Sequence, residues 1–270
     1  MRIALVGPGR AGQAVAIAAR GAGHELIAVA GRDSEQASHA ARRFDAVSLA
    51  IGEPIPPVDL IIISVRDGAI AEVADIVAPV ARNAAAAAVH LSGATPVEAL
   101  RSLADVGIRT GSFHPLQTLP EPETGARALA GAWIAVTADE PLQSMLHELA
   151  ATMGCRPFDL ADESRAAYHA AAAAAANFPI AALVIAERLL DATGVPLEAA
   201  QPLVETIVAN AFARGPGPSL TGPIARGDAE TVEAQKSAVR SAAPDLAVPF
   251  EAMVEVTALI ARTIEEGETT

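Results

Sequence analysis

Three glycines near the start of the chain have the spacing needed to bind a phosphate group. Gly7, Gly9 and Gly12 lie between an apolar run that predicts a strand and a small-residue stretch that predicts a helix. In this context the first glycine permits a tight turn, the second admits a pyrophosphate, and the third lets helix and strand pack closely. The helix N-terminus adds free N–H groups and partial positive charge. The alternative is a glycine-rich turn of another α/β protein. We predict that a dinucleotide is held by Gly7, Pro8, Gly9, Arg10, Ala11 and Gly12.

The end of the second predicted strand bears on which dinucleotide this is. NAD-binding proteins usually have an acidic residue there for the ribose 2′-hydroxyl, but Gly31 stands at that position and Arg32 follows it. Arg32 and the Ser34 hydroxyl suit a 2′-phosphate, which favours NADP(H) over NAD(H). Two alternatives stay open: Asp33 would reach the tip if the strand were longer, and Ser34 could simply cap the next helix.

Further candidates follow the later strands, at the edge where open α/β sheets bind ligands. His114 stands at such a strand end, where an imidazole can act as a general acid or base. The alternative is a structural histidine. Ser92 could hydrogen-bond a substrate or the nicotinamide carboxamide, or it could cap the next helix. The other residues predicted at this edge are Val65 and Arg66 for the cofactor, and Gly93 and Gln117 for the substrate.

A long alanine-rich helix and a glycine-bounded loop supply the remaining candidates. His169 and Asn177 are eight residues apart, or about two helical turns, so they share roughly one face of the helix. We expect Asn177 to be buried, where it would need a ligand or a backbone group as partner. In the loop, Thr221 and Arg226 are predicted to bind substrate, since a guanidinium can grip both oxygens of a carboxylate. Alternatively, Asp228 caps the next helix and Arg226 pairs with a surface acid.

Composition excludes several classes of function. The 270 residues carry a net charge of −13, which argues against a nucleic-acid partner. The single cysteine, Cys155, excludes an internal disulfide and a multi-cysteine metal site, and we predict no metal. Met1 leads directly into a strand, so we expect no signal peptide and a cytoplasmic protein. The apolar stretch Ala170–Ala186 is interrupted by Asn177 and Pro179, and we predict a buried helix rather than a membrane span.

The alternation of elements predicts the architecture. Strands and helices alternate through residues 1–161, which indicates an α/β domain with a parallel, doubly wound Rossmann-type sheet. Residues 162–270 show only helical patterns, over Asp162–Leu190, Pro196–Ala213, Ala229–Ala243 and Pro249–Glu266. We therefore predict a dinucleotide-binding domain followed by an all-helical domain for substrate binding and dimerisation.

Taken together, these motifs resemble the Rossmann-like proteins with a DUF2520 C-terminal domain. That family is similar to the β-hydroxyacid dehydrogenase and 6-phosphogluconate dehydrogenase superfamily. The resemblance implies an NAD(P)-dependent oxidoreductase whose helical domain forms a homodimer and closes over the substrate. The matching stretches are Gly7–Gly12, His90–Gly93, Gly111–Gln117, Tyr168-His169 with Asn177, and Leu220–Asp228.

Individual site residues also have counterparts in the superfamily. Ser92-Gly93 resembles the Ser-Gly of hydroxyacid dehydrogenases, and His114 with the following proline resembles the His-Pro of prephenate dehydrogenases. Asn177 resembles the asparagine of the Lys-x-x-x-Asn helix, but Ala173 occupies the place of the lysine. The proton donor is therefore expected to be His114 or His169.

The resulting hypothesis is an NADP(H)-dependent reductase of a small 2-oxo or imino acid, similar to ketopantoate reductase. His114 would transfer the proton, Ser92 and Asn177 would orient the substrate, and Arg226 would hold its carboxylate. One alternative is a dehydrogenase of the prephenate or pyrroline-5-carboxylate type. Another is a non-catalytic NADP(H)-binding regulator, which the missing lysine leaves open.

Overall fold

The computed structural model describes residues 1–268, with side chains through Arg262. The chain divides into two compact units, Met1–Ala174 and a second that begins at Ala175. The long helix that opens the helical half begins at Arg165, close to the predicted domain boundary at Ala161.

An eight-stranded sheet forms the centre of the first unit, in the order β3-β2-β1-β4-β5-β6-β7-β8. The order 3-2-1-4-5-6 within it is that of dinucleotide-binding domains. All neighbouring strands are parallel except β6 and β7, which are antiparallel. The prediction of a doubly wound α/β fold is thus confirmed. The prediction that the sheet is parallel is wrong for one pair of strands, β6 and β7. The strands are Arg2–Val6, Glu25–Gly31, Val47–Ala50, Val58–Ile63, Ala85–His90, Arg109–Pro115, Trp133–Thr137 and Arg156–Asp159.

Strand β4 shows why this sheet is covered on both faces. Leu60 and Ile62 pack into one apolar cluster, whereas Ile61 and Ile63 pack into a second cluster on the opposite face. All four side chains are at most 1% exposed, as expected for a central parallel strand between two layers of helices. The helices of the first unit are α1 Arg10–Gly21, α2 Ser34–Phe44, α3 Ile70–Ala81, α4 Arg101–Asp105, α5 Pro122–Ala128 and α6 Leu142–Thr152, followed by the start of α7, Arg165–Asp191.

This topology gathers the predicted site residues of the first unit. Because β1, β4, β5 and β6 are parallel and adjacent, their carboxyl ends meet at one edge of the sheet. The glycine turn follows β1, Ser92 and Gly93 follow β5, and His114 lies in the last residues of β6.

The second unit contains the remainder of α7, followed by α8 Gln201–Arg214, α9 Ala229–Ala242 and α10 Ala247–Glu268. The expectation of a buried helix over Ala170–Ala186 is wrong for the single chain, because Phe178 and Ile180 are 62% and 60% exposed. The described helices of this unit leave that face of α7 uncovered. By length and composition alone, residues 162–191 could also cross a membrane, which is weak evidence because helices of soluble proteins meet the same criteria.

Candidate dinucleotide and proton-transfer site

The glycine turn after β1 has the geometry that its spacing predicts. Gly7 has φ of +89°, and a Cβ there would collide with the carbonyl oxygen of Ser64. A Cβ on Gly12 would lie 2.8 Å from both the Gly7 carbonyl oxygen and the Ser64 Cβ. Glycine is therefore required at both positions, to form the turn and to bring α1 against the end of β4.

Gly9 differs from the other two glycines, because the space beside it is open. A Cβ on Gly9 would meet no described atom within 4 Å. Gly9 is the N-cap of α1, which has no side-chain cap and no acidic residue in its first turn. The first N–H groups of α1 therefore have no capping side chain, and no acidic side chain of the first turn opposes their partial positive charge. This arrangement fits the pyrophosphate of a dinucleotide.

The tip of β2 has an arginine, followed by a carboxylate that caps the next helix. The strand ends at Gly31, and the Asp33 carboxylate accepts hydrogen bonds from the backbone N–H groups of Glu35 and Gln36, at 2.9 and 3.0 Å. Asp33 is thus the N-cap of α2, and the alternative that Ser34 caps this helix is wrong. Arg32 is exposed and forms no ion pair within the described part of the chain. These features favour a 2′-phosphate over a free 2′-hydroxyl.

At the end of β6, the His114 imidazole is held between two neighbours. Its Nδ1 lies 2.8 Å from the Tyr168 hydroxyl oxygen, in a hydrogen bond whose direction depends on the tautomer. Gly93 is the second neighbour, since a Cβ added to it would lie 2.8 Å from both Cε1 and Nε2 of the ring. The exposed His169 ring lies 6.3 Å from the His114 ring, centroid to centroid. Of the two predicted proton donors, His114 is the one that the structure fixes in place.

Burial keeps both members of this pair uncharged. It lowers the pKa of His114 to about 4, helped by the charges of His169 and Arg165 and opposed by Asp67. Burial also raises the pKa of Tyr168 to about 12. At neutral pH the two groups are therefore a neutral imidazole and a neutral phenol, joined by a hydrogen bond with no ion pair in the resting state.

Ser92 lies beside this pair, but its hydroxyl is occupied. Ser92 Oγ donates to Thr95 Oγ1 at 2.9 Å and accepts from the backbone N–H groups of Ala94 and Thr95, at 3.2 and 3.0 Å. Ser92 thus closes a short turn, and the alternative that it caps the next helix is wrong, because Pro96 is the N-cap of the helical turn Val97–Leu100. The predicted contact of Ser92 with substrate or nicotinamide stays a prediction and would require a rearranged hydroxyl.

Arg165 is a buried residue of this region that sequence reasoning missed. The side chain is 1% exposed, and its Nε donates to Asp162 Oδ1 at 2.8 Å. Its Nη1 donates to the Ser92 carbonyl oxygen at 3.0 Å, and Nη2 donates to Thr137 Oγ1 at 3.0 Å. The Asp162–Arg165 spacing at the start of a helix was the one local signal, but the other partners are distant in sequence.

The other candidates of the first unit lie at the same edge or on its surface. Val65 packs against the glycine turn, where its Cγ1 would lie 2.7 Å from a Cβ on Gly7. Arg66 and Gln117 are exposed, and Gln117 Nε2 donates to the Ala128 carbonyl oxygen at 3.3 Å.

Three predicted site residues belong to the second unit, and all are exposed there. Asn177 is exposed on α7, so the expectation of a buried asparagine is wrong for the single chain. Thr221 and Arg226 are also exposed. Asp228 caps α9 by accepting a hydrogen bond from the Thr231 backbone N–H at 3.0 Å, as the alternative for this loop supposed.

Two family models match the chain, in the order that the fold suggests. Residues 1–115 match a Rossmann-like domain, and residues 132–257 match DUF2520, a domain of unknown function. The chain is a Rossmann-like protein with a DUF2520 domain. The resemblance inferred from the glycine, Ser-Gly, His-Pro and C-terminal motifs is thereby confirmed.

Solved structures resemble this DUF2520 protein over nearly their whole length. Protein BF3122 from Bacteroides fragilis is 24% identical, with a TM-score of 0.76 and 98% coverage of each chain. An imine reductase from Myxococcus stipitatus in complex with NADP⁺ is 17% identical, with a TM-score of 0.70 and coverage of 99% of this chain and 95% of that chain. A reductive aminase from Aspergillus terreus in complex with NADPH and ethyl levulinate is 17% identical, with a TM-score of 0.68 and 98% coverage of each. No curated protein matched the sequence.

Proposed function

We propose that this DUF2520 protein is an NADP(H)-dependent oxidoreductase that reduces a small 2-oxo or imino acid. The observation that carries the proposal is the neutral His114–Tyr168 pair, hydrogen-bonded over 2.8 Å at the sheet edge where the glycine turn opens. A reductase needs a proton donor beside its hydride source, and this edge offers both a donor and a dinucleotide cradle. The shared fold of an imine reductase with NADP⁺ and a reductive aminase with NADPH supports the same class.

The cofactor would be held by the glycine turn and the tip of β2. The open backbone at Gly9 and the N-terminus of α1 would bind the pyrophosphate, while Arg32 and Ser34 would bind the 2′-phosphate. When bound, the nicotinamide supplies the hydride for the substrate carbon. We propose that Val65 and Arg66, which follow β4, border this cofactor.

His114 and Tyr168 would supply the proton. Nε2 of His114 has no hydrogen-bond partner within the described residues, so a substrate oxygen or nitrogen can accept its proton. As Nε2 loses that proton, Nδ1 takes the proton of the Tyr168 hydroxyl. Water then returns a proton to the Tyr168 oxygen and leaves hydroxide in the solvent, because the raised pKa of Tyr168 makes its phenolate a stronger base.

The remaining candidates would define the substrate. We propose that the exposed guanidinium of Arg226 binds a substrate carboxylate, and that Asn177 and Thr221 offer polar contacts. Gly93 and Gln117 would contribute from the first unit. An acidic substrate is the class that this set of side chains favours.

We also propose that the helical unit forms a homodimer. Large apolar side chains on α7, α8 and α10 are exposed in the single chain, and a second copy would cover them. Sedimentation should show a dimer, and Phe212→Asp should produce monomers; a monomeric wild-type protein would contradict this proposal. The residues concerned include Phe178, Ile180, Leu203, Phe212, Val248 and Val256.

The central proposal is tested by NADPH oxidation with a panel of 2-oxo acids and cyclic imino acids, including ketopantoate, alongside calorimetry with NADPH. We expect binding and turnover with at least one carboxylate-bearing substrate. Binding without any turnover would replace the proposal with a non-catalytic NADP(H)-binding regulator. No heat with millimolar NADPH or NADH would remove the dinucleotide assignment altogether.

A further inference from the structure

We infer that Arg165 is a positioning residue for His114, an inference that rests on the proposed function. Its guanidinium holds both the Ser92–Gly93 loop and the first turn of α7, and each of these two segments contacts the imidazole of His114. Arg165 makes its hydrogen bonds to Asp162, Thr137 and the Ser92 and Gly93 carbonyl oxygens and none to the His114 ring, so it would act through these neighbours.

The burial of Arg165 is the first observation behind this inference. Burying a guanidinium is unfavourable unless its donors are satisfied, and here Nε, Nη1 and Nη2 all have acceptors. The acceptors lie on three elements: Asp162 before α7, the loop after β5, and Thr137 at the end of β7. Asp162 extends this connection, because it accepts the backbone N–H of Val97 at 3.0 Å. Arg165 therefore joins the loop after β5 and the end of β7 to the start of α7.

The first consequence concerns the loop that borders the imidazole. Nη1 of Arg165 donates to the carbonyl oxygens of Ser92 and Gly93, at 3.0 and 3.4 Å. The Cα of Gly93 packs so closely against the His114 ring that even a methyl group would collide with Cε1 and Nε2. Anchoring this loop therefore limits where the ring edge that carries Nε2 can lie.

The second consequence concerns the Tyr168 hydroxyl. Tyr168 follows Arg165 by three residues, so it lies about one helical turn further along α7. Fixing the first turn of α7 therefore fixes the Tyr168 hydroxyl, which bonds to Nδ1 of His114. The buried positive charge of Arg165 also lowers the pKa of His114, although burial has the larger effect.

Arg165→Gln tests this inference, with Arg101→Gln as the matched control. Arg101 pairs with Glu98 and Asp105 on the surface of the same unit, and its side chain is 64% exposed. For Arg165→Gln we expect kcat to fall about 100-fold while the KM for NADPH changes less than about 3-fold, because a shift of about 1 Å at a reacting group has this effect. Arg101→Gln should match the wild type in both quantities.

A second readout follows the His114 ring without any turnover. Nitrogen-15 NMR of the histidine rings from pH 3.5 to 8 reports the tautomer and the titration midpoint of His114. In Arg165→Gln, we expect the titration midpoint of His114 to move upward and the Nδ1 hydrogen bond to Tyr168 to weaken. An unchanged ring spectrum and unchanged kcat in the folded variant would overturn the inference.

Two further variants separate the effect of Arg165 on the position of His114 from the effect of its charge. They also keep the inference testable if Arg165→Gln does not fold. Arg165→Lys keeps the charge but lacks the planar fork, so we expect a low His114 midpoint with kcat still reduced at least about 10-fold. A wild-type kcat in Arg165→Lys would show that the planar guanidinium is not needed to position His114. Gly93→Ala leaves Arg165 unchanged but adds a methyl group against the imidazole, so it should also disturb the His114 signals. Unchanged His114 signals in this variant would contradict the contact between Gly93 and the ring.

The two proposals fail in distinguishable ways. If the wild-type protein reduces no substrate, the proposed function fails, yet the NMR effect of Arg165 on His114 is still measurable. If the wild type is active and Arg165→Gln behaves like Arg101→Gln, only the positioning role fails.

Discussion

Nδ1 of His114 and the hydroxyl oxygen of Tyr168 lie 2.8 Å apart, joining a β-strand end to the first turn of a long helix. The two residues are 54 positions apart in the sequence. Each is kept neutral by burial, with pKa values of about 4 and about 12. A pair of this kind can transfer a proton to a substrate at neutral pH without holding a charge beforehand.

We predict that Tyr168→Phe lowers kcat about 10- to 100-fold and leaves NADPH affinity nearly unchanged, because only the hydroxyl that refills Nδ1 is lost. His114→Asn should lower kcat further. Because the two groups act in series, the double variant should be no slower than His114→Asn alone. Steady-state kinetics and calorimetry measure both quantities. Additive losses in the double variant would show that the residues act independently.

The elements of the first unit could largely be predicted because local patterns specify them. The sequence pattern predicts a helix over Ser34–Phe44, which are the bounds of α2 in the structure, and the run of isoleucines predicts β4. Two elements were missed. Strand β3, Val47–Ala50, is short with no buried residue, and α5, Pro122–Ala128, contains a central glycine and proline at its start.

The candidate site could be predicted only in part. The glycine turn is a local motif, and its three glycines have the predicted roles. The direction of β7 and the contact between Tyr168 and His114 depend on residues distant in sequence, so periodicity does not reveal them. Arg165 was missed for the same reason, since it bonds to Ser92 and Thr137 across 73 and 28 positions. Its burial contradicts the usual exposure of arginine.

A second prediction concerns stability in mild acid. Burial, with the nearby charge of Arg165, lowers the pKa of His90 to about 4, opposed by the Pro96 carbonyl, Asp162 and Asp67. A folded-state pKa below the unfolded value means that the unfolded chain binds more protons between pH 6.5 and 4. The contribution of neutral His90 to the free energy of unfolding is therefore complete above about pH 6.5 and is lost as the pH falls toward 4. It amounts to at most about 3 kcal/mol.

His90→Asn tests this second prediction. His90 is fully buried, and the Pro96 carbonyl lies near its ring without meeting the geometry of a hydrogen bond to either ring nitrogen. Urea unfolding at pH 7.5, 6, 5 and 4.5 should show a declining midpoint for the wild type and a shallower decline for the variant. The exposed His39 offers a control, and His39→Asn should retain the wild-type slope. Equal slopes for all three proteins would contradict the prediction.

A third prediction separates the roles of two glycines in the turn after β1. Gly9→Val places a side chain in the open space at the start of α1, so we expect the unfolding temperature to hold while NADPH affinity falls at least about 10-fold. Gly12→Val instead collides with the Gly7 carbonyl and Ser64, so it should lower the unfolding temperature of the cofactor-free protein. Calorimetry and thermal unfolding distinguish these outcomes. Wild-type affinity in a folded Gly9→Val protein would place the pyrophosphate elsewhere.

The preference for NADPH over NADH depends on Arg32. Asp33 caps α2, and the exposed Arg32 beside it is the side chain at the tip of β2 that can bind a 2′-phosphate. A charge-assisted hydrogen bond contributes about 1.5–3 kcal/mol, so Arg32→Ala should weaken NADPH binding roughly 10- to 100-fold. NADH binding should change little, because NADH lacks that phosphate. Titration of both nucleotides against the wild type, Arg32→Ala and the nearby surface variant Arg42→Ala measures this. Equal losses for NADPH and NADH in Arg32→Ala would mean that Arg32 contacts a part common to both nucleotides.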